Sequence, residues 1–160
     1  MTDDLRKGGR RIVQVISGGQ TGVDRAALDV AEELGIARGG WCPRGRQAED
    51  GCIPARYPLR ETPNRDYPER TAWNVRDADA TLVLTRGPLR GGSALTFRLA
   101  VKAGRPVLVV DLAENDETKS VGEWLQRHGV AVLNVAGPRE SENLGIGSQA
   151  RAFLRGVLSR

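Results

Sequence analysis

Short apolar runs alternate along the chain with segments whose apolar residues recur at helical spacing. Four runs have the length of buried strands, at 12–16, 80–84, 106–111 and 130–135, and a shorter strand is expected around 36–41. Helices are predicted from Val23 to the residue before Gly35, and at 67–77, 94–103, 120–128 and 149–158. Alternating strands and helices need crossover connections, so the pattern predicts a doubly wound α/β fold with a mainly parallel sheet and helices on both faces.

Two segments fall outside this alternation. Residues 1–11 carry charges of both signs and are expected to form a short flexible leader, which leaves 12–160 as one domain. Residues 39–64 are rich in Gly, Pro and Arg and form a long irregular excursion. A loop of this length inside a compact domain is usually functional, so an ordered binding loop is expected.

Glycine-rich loops follow three of the predicted strands. The first contains Gly18, Gly19, Gln20, Thr21 and Gly22, the second runs from Arg86 to Gly91, Gly92 and Ser93, and the third is 136–141. Ligands of open α/β sheets bind outside the carboxyl ends of the strands, and a glycine loop that opens a helix favours an anion. The first loop alone also suits a plain strand-to-helix turn and matches neither the P-loop nor the dinucleotide fingerprint. Two such loops on neighbouring strands favour an anion pocket.

Several polar residues accompany these loops. Asp24 suits the positive end of a helix dipole, whereas Arg25 opposes that dipole and needs a ligand phosphate or a nearby carboxylate as its partner. In the third loop Arg139 is a candidate to grip an oxyanion, and Ser141 is a candidate hydrogen-bond donor. His128, Cys42 and Cys52 stand in no catalytic or metal-binding pattern, so no catalytic residue and no metal ligand is predicted.

The charge of the chain leaves its partner open. A net charge of +4 and a pI near 9.6 come mainly from Arg, an excess that suits anion recognition but also follows from codon bias. The arginines are scattered and aromatic residues make up only 4%, which argues against nucleic-acid binding. Without a secretory signal, a membrane span or a disulfide framework, the expected location is the cytoplasm.

Five motifs in order resemble those of the molybdenum cofactor carrier proteins. They are ISGGQTGVDRAALD, GGWCPRG, RTAWNVRDADATLVL, RGGSALT and LNVAGPRES, and together they span nearly the whole chain from Ile12 to about Gly147. The carrier proteins belong to the SLOG superfamily of Rossmann-like nucleotide-binding domains. The resemblance implies a homo-oligomer that binds and protects molybdenum cofactor, a phosphorylated pterin with a dithiolene-bound oxo-molybdenum group, and delivers it to a recipient molybdoenzyme.

The resemblance also carries site residues onto this chain. It implies that the first two glycine loops contact the anionic parts of the ligand, with Thr96 nearby, and that Arg139, Glu140 and Ser141 complete the pocket. Pro43, Arg44 and Gly45 are contributors from the long excursion. Because backbone must approach the ligand closely at Gly19, we expect Gly19→Val to abolish binding and to leave the fold largely intact.

The alternative within the superfamily is a nucleotide-processing enzyme such as the phosphoribohydrolases. Their GGxGTxxE signature aligns at Gly91 and Gly92, but its Gly-Thr pair falls on Ala94 and Leu95 and its catalytic Glu falls on Arg98. The group that this chemistry needs is therefore missing. A carrier rather than an enzyme is expected, with a nucleotide as the alternative ligand.

Overall fold

The computed structural model describes residues 11–115 and 117–159, so residues 1–10 of the predicted leader lie outside the described part. Nine strands are described: β1 (Gln14–Ile16), β2 (Ala37–Gly39), β3 (Trp41–Cys42), β4 (Gln47–Ala48), β5 (Gly51–Cys52), β6 (Arg60–Glu61), β7 (Ala80–Thr85), β8 (Val107–Asp111) and β9 (Val132–Ala136). Five helices accompany them: α1 (Val23–Glu33), α2 (Tyr67–Asp77), α3 (Gly91–Lys102), α4 (Thr118–Arg127) and α5 (Ile146–Leu158).

The central sheet contains five parallel strands in the order β2-β1-β9-β7-β8. In its register Gln14 lies between Ala37 and Val132, and Ala80 lies beside Leu133. The predicted α/β architecture is confirmed. β9 separates β1 from β7, however, so the first two glycine loops do not follow neighbouring strands, and the third loop lies between them.

Side-chain alternation along β7 separates two helix layers. Leu82 and Leu84 face a core built with α1, α4 and α5, which pack on one another in turn. Thr81 faces the opposite side, where α2 packs on α3 and where Asn134 Nδ2 donates a hydrogen bond to Thr81 Oγ1 at 3.2 Å. The chain therefore changes face between β9 and β7, which is the topological switch where such sheets bind ligands.

The excursion after β2 is ordered and contains more strand than expected. β3 pairs with β6 in parallel, and β4 pairs with β5 as a hairpin. A second small core of Leu28, Cys42, Ile53, Tyr57 and Leu59 fixes this segment against α1. The prediction of an irregular loop is thus wrong for these four strands, which are two residues long each and too short to give a periodic signal.

One arginine of the excursion, Arg46, forms hydrogen bonds to four carbonyl groups of the same segment. Arg46 donates hydrogen bonds from Nε to the carbonyl of Ile53, from Nη1 to that of Leu59, and from Nη2 to those of Pro54 and Tyr57, at 2.9–3.3 Å. These carbonyls belong to a stretch with little regular structure, in which those of Pro54 and Tyr57 also accept a turn hydrogen bond, from the N–H groups of Tyr57 and Leu59. A single guanidinium therefore supplies donors that a longer sheet would otherwise supply.

Three helices begin earlier than predicted: α4 at Thr118, α3 at Gly91 and α5 at Ile146. α3 starts at Gly91, so the glycines at 91 and 92 form its first turn and are not a loop before it. α5 starts at Ile146, where the Glu140 carboxylate accepts the N–H groups of Gly145 at 2.5 Å and Gly147 at 3.0 Å. In the described part of the chain, no helix has the length and apolar character needed to cross a membrane.

Candidate functional site

A cleft of about 340 Å³ opens at the carboxyl ends of β1, β9 and β7. The start of α3 and the side of α2 form one wall, and the loop after β9 forms the other. Seven of the predicted site residues line this cleft: Gln20, Asp24, Gly91, Gly92, Ser93, Thr96 and Arg139. The helix starts and the polar side chains expected from the sequence therefore meet in one place.

Close backbone contacts bring the first and third loops together. A Cβ on Gly22, where φ is +81°, would lie 2.4 Å from the carbonyl oxygen of Pro138. A Cβ on Gly137 would lie 2.5 Å from the carbonyl oxygen of Leu84 and the same distance from Val23 Cγ2. Glycine is required at both positions because a side chain would overlap neighbouring segments of the same chain. Gly22 itself does not line the cleft.

A buried carboxylate and an arginine face each other on the cleft wall. Asp24 Oδ2 accepts the backbone N–H of Gln20 at 3.2 Å and lies 3.6 Å from Arg70 Nη1. Their side chains are only 5% and 14% exposed, respectively, and Arg70 Nε has no hydrogen-bond partner. Burial raises the pKa of Asp24 to about 6, against the opposing effects of Arg70 and of the Gln20 N–H.

The position of Arg70 depends on Gly18. A Cβ at residue 18 would lie 1.9 Å from Arg70 Nη1, so the guanidinium lies directly against the glycine backbone. Gly18 thus contributes to the site by admitting an arginine, and it does not itself line the cleft. Arg70 also lies 5.3 Å from the Tyr67 ring centroid, and both residues line the cleft wall formed by α2.

Two further arginines and a helix start give the cleft its positive character. Arg98, on α3, and Arg139, after β9, both line it. The first turn of α3 adds backbone N–H groups, and a Cβ placed on Gly92 would point into open space. Thr96 Oγ1 donates to the Gly92 carbonyl at 2.9 Å, which uses its proton within the helix. Glu142 is the second acidic residue of the lining.

Thr21 and Ser141 come together around a side chain of the excursion. Thr21 Oγ1 and Ser141 Oγ both donate short hydrogen bonds to the Glu49 carboxylate, and the Ser141 N–H donates to it at 3.2 Å. These hydrogen bonds hold the pKa of Glu49 below its usual range. The donors predicted for a ligand anion thus bind an anionic group of the protein itself, outside the main cleft.

Arg25 and Gly19 also serve the excursion. Arg25 forms a bidentate ion pair with Asp50 at 2.6 and 2.8 Å and donates from Nε to the Gly19 carbonyl at 2.9 Å. Its partner is therefore the neighbouring carboxylate that the sequence left as one option. A Cβ on Gly19, where φ is +81°, would lie 2.5 Å from Leu59 Cδ1. The geometry argues against the expectation that Gly19→Val spares the fold, because the valine would press on the second core from a backbone conformation that favours glycine.

Three further predicted residues, Glu140, Arg44 and Arg86, also lie away from the main cleft. Glu140 caps the start of α5, and Arg44 is exposed on the excursion. Arg86 donates from Nε to Gln149 Oε1 at 2.6 Å and from Nη1 to the Leu144 carbonyl at 2.8 Å. Arg86 lines a second cleft of about 290 Å³ beside the first. Within 11–115 and 117–159, no three His, Cys, Asp or Glu side chains are grouped as a metal site.

Comparison with known proteins places this geometry in a family. The model of the circularly permutated YpsA SLOG family matches residues 15–158. The chain belongs to this SLOG family. A crystal structure of a "Putative molybdenum carrier protein" from Syntrophus aciditrophicus SB is 41% identical, with a TM-score of 0.91, over 96% of this chain and 99% of that chain. The search of curated proteins gave no match.

Several residues that line or adjoin the cleft were not predicted from the sequence. Arg70 and Tyr67 were predicted to lie on a helix but not at a site, and Glu142 and Glu49 were not singled out. Arg98 had been noticed only as the residue that replaces a catalytic Glu. A usable signal for the α2 wall was present, since Tyr67, Arg70 and Thr71 fall on one face of a helix at i, i+3 and i+4.

Proposed function

We propose that the protein binds molybdenum cofactor in the main cleft and carries it to a recipient molybdoenzyme. The observation that carries the proposal is the positive charge of the cleft, whose lining contains Arg70, Arg98 and Arg139 together with the first turn of α3. The 41% identical structure, which is named a molybdenum carrier protein, supports a cargo that contains molybdenum.

The chemistry of the cleft suits a phosphorylated, anionic pterin. Guanidinium groups and helix N–H groups are the usual partners of phosphate, and the lining of this cleft contains both. Leu95 and Pro68 provide apolar surface in the same lining, against which a flat ring system can pack. Phosphate at α3 and the ring toward α2 is therefore the orientation we propose.

Transport rather than turnover is the second part of the proposal. Arg98 occupies the position where the related hydrolases have their catalytic Glu. The Asp24 carboxylate is held by the Gln20 N–H and faces Arg70, which commits it to the wall of the site. The two cysteines are free thiols, as suits the cytoplasm, and the proposed carrier is a homo-oligomer.

The test is an anaerobic titration of the purified protein with molybdenum cofactor, repeated with Arg98→Ala and with Arg127→Ala. Both arginines are exposed, so both variants should fold. Arg127 ends α4, which puts it at the edge of the sheet opposite the cleft. We expect Arg98→Ala to weaken binding roughly tenfold and Arg127→Ala to change it less than about twofold.

Nucleoside monophosphates serve as competitors in the same titration, with product analysis for hydrolysis. Weak competition and an unchanged nucleotide are expected of a carrier. Equal affinity of all three proteins for the cofactor would place its phosphate elsewhere. Tighter binding of a nucleotide, with turnover, would overturn the carrier function.

A further inference from the structure

The second cleft adjoins the first and has arginines of its own. It lies at the carboxyl end of β7, and Ser93 and Glu142 line both clefts. Arg86 and Arg90 line the second cleft only. Glu142 Oε1 accepts the Arg139 N–H at 3.0 Å, and this fixes Glu142 on the ridge between them. The two clefts thus lie side by side at the start of α3, and Ser93 and Glu142 form their common boundary.

We propose that the two adjoining clefts together bind one elongated ligand: the pterin cofactor extended through its phosphate by a nucleoside monophosphate, so that a diphosphate crosses their common boundary and joins the two parts. The pterin end occupies the main cleft and the nucleoside end occupies the second cleft. This inference rests on the proposed function and specifies which form of the cargo the site prefers.

The size of the clefts supports a ligand with two parts. Pockets for small molecules usually have volumes of about 300–1,000 Å³. The main cleft, at about 340 Å³, and the second, at about 290 Å³, each lie at the lower end of that range. A simple phosphorylated pterin leaves the second cleft empty, whereas a dinucleotide form extends into both.

The start of α3 is suited to the diphosphate that would join the parts. Ser93 is a buried residue of the first turn and lines both clefts. The start of α3 therefore lies at the boundary between the two clefts. Gly91 and Gly92 are exposed and carry no side chain that would keep a phosphate from the helix N–H groups. Arg139 on one side and Arg90 on the other offset the charge of Glu142.

Arg90 is the side chain available to the nucleoside half. Its carbonyl accepts the N–H groups of Ser93 and Ala94, which fixes the backbone. Its exposed guanidinium makes no hydrogen bond or ion pair with any other residue of the described part. Arg86, in contrast, is fixed by Gln149 and the Leu144 carbonyl and forms a rigid wall.

The test compares two probes and two variants. Molybdenum cofactor and its guanine dinucleotide form are each titrated anaerobically into the wild-type protein, Arg90→Ala and Arg98→Ala. Arg90 and Arg98 are both exposed and lie on opposite sides of the ridge, so each controls for the other. We expect Arg98→Ala to weaken both probes. Arg90→Ala should weaken the dinucleotide about tenfold and change the monophosphate less than about twofold.

The outcomes separate this inference from the proposed function. If the wild-type protein binds the two forms equally and Arg90→Ala changes neither, the second cleft is not a ligand site and only this inference fails. If neither form binds, the proposed function fails with it. A dinucleotide that binds more tightly than the monophosphate, by a margin that Arg90→Ala removes, would establish the two-part site.

Discussion

Replacing Asp24 with Asn should change how the stability of the protein depends on pH. Burial raises the pKa of the Asp24 carboxyl from 3.8 to about 6 in the folded protein, although Arg70 lies 3.6 Å away. Between these two values the folded chain binds a proton that the unfolded chain has lost. The stability that this proton brings is fully present below the unfolded pKa and is lost as pH rises through the folded pKa.

The size of the effect follows from the shift. Since one pKa unit corresponds to 1.36 kcal/mol, a rise from 3.8 to about 6 amounts to about 3 kcal/mol. Most of this falls between about pH 4 and about pH 7.5. Over that interval the free energy of unfolding of the wild-type protein should fall by about 2 to 3 kcal/mol relative to Asp24→Asn.

The assay is urea denaturation of both proteins at several pH values. The quantity of interest is the difference between the two free energies of unfolding at each pH. In this difference the titration of all other groups cancels, and any destabilisation by the Asn side chain adds only a constant. A difference that does not change with pH would mean that burial does not control Asp24. A change of the opposite sign would mean that Arg70 outweighs burial, and the account of the cleft wall would be wrong.

Three further substitutions test the contacts that position the excursion. Arg46→Met removes the hydrogen-bond donors to four carbonyls, so amide hydrogen exchange across 47–60 should accelerate and the free energy of unfolding should fall by about 2–4 kcal/mol. The control is Arg44→Met at an exposed position nearby, which should change both quantities little. Equal effects of the two substitutions would contradict the role of Arg46. Glu49→Gln should lower the free energy of unfolding at pH 7 by less than about 1 kcal/mol, because hydrogen bonds from Ser141 and Thr21 hold the pKa of Glu49 low and favour its charged form. An effect of the substitution that does not shrink as pH falls would not come from that charge. Gly19→Val should lower the melting temperature as well as ligand affinity, because Leu59 blocks the new side chain, and an unchanged melting temperature would refute that contact.

Sequence patterns predicted the elements whose own residues determine them. Helix α2 has the predicted bounds because Pro68 near its start and the polar-apolar spacing that follows are local signals. β7 is a run of six buried residues, and such runs need no partner to be recognised. The start of α5 was missed because its cap comes from Glu140, which precedes the helix by several residues and forms no standard capping box.

The candidate site was predicted in outline for the same reason. Glycine loops at the carboxyl ends of strands could be located from the strands alone, and they do meet at one cleft. Which side chains enter that cleft depends on packing between distant segments. Arg70 reaches the cleft because Gly18 has no side chain in its way. Thr21 donates its hydrogen bond to Glu49 because the excursion folds back over the first loop. Neither contact has a local sequence signal.

A crystal structure of the complex, with anomalous scattering recorded at the molybdenum edge, tests the central claim most directly. The account predicts one molybdenum peak per chain within the main cleft, with the ligand phosphate at the first turn of α3 beside Arg98. A molybdenum peak outside the cleft, or a nucleotide bound in it with no molybdenum, would contradict the proposed function.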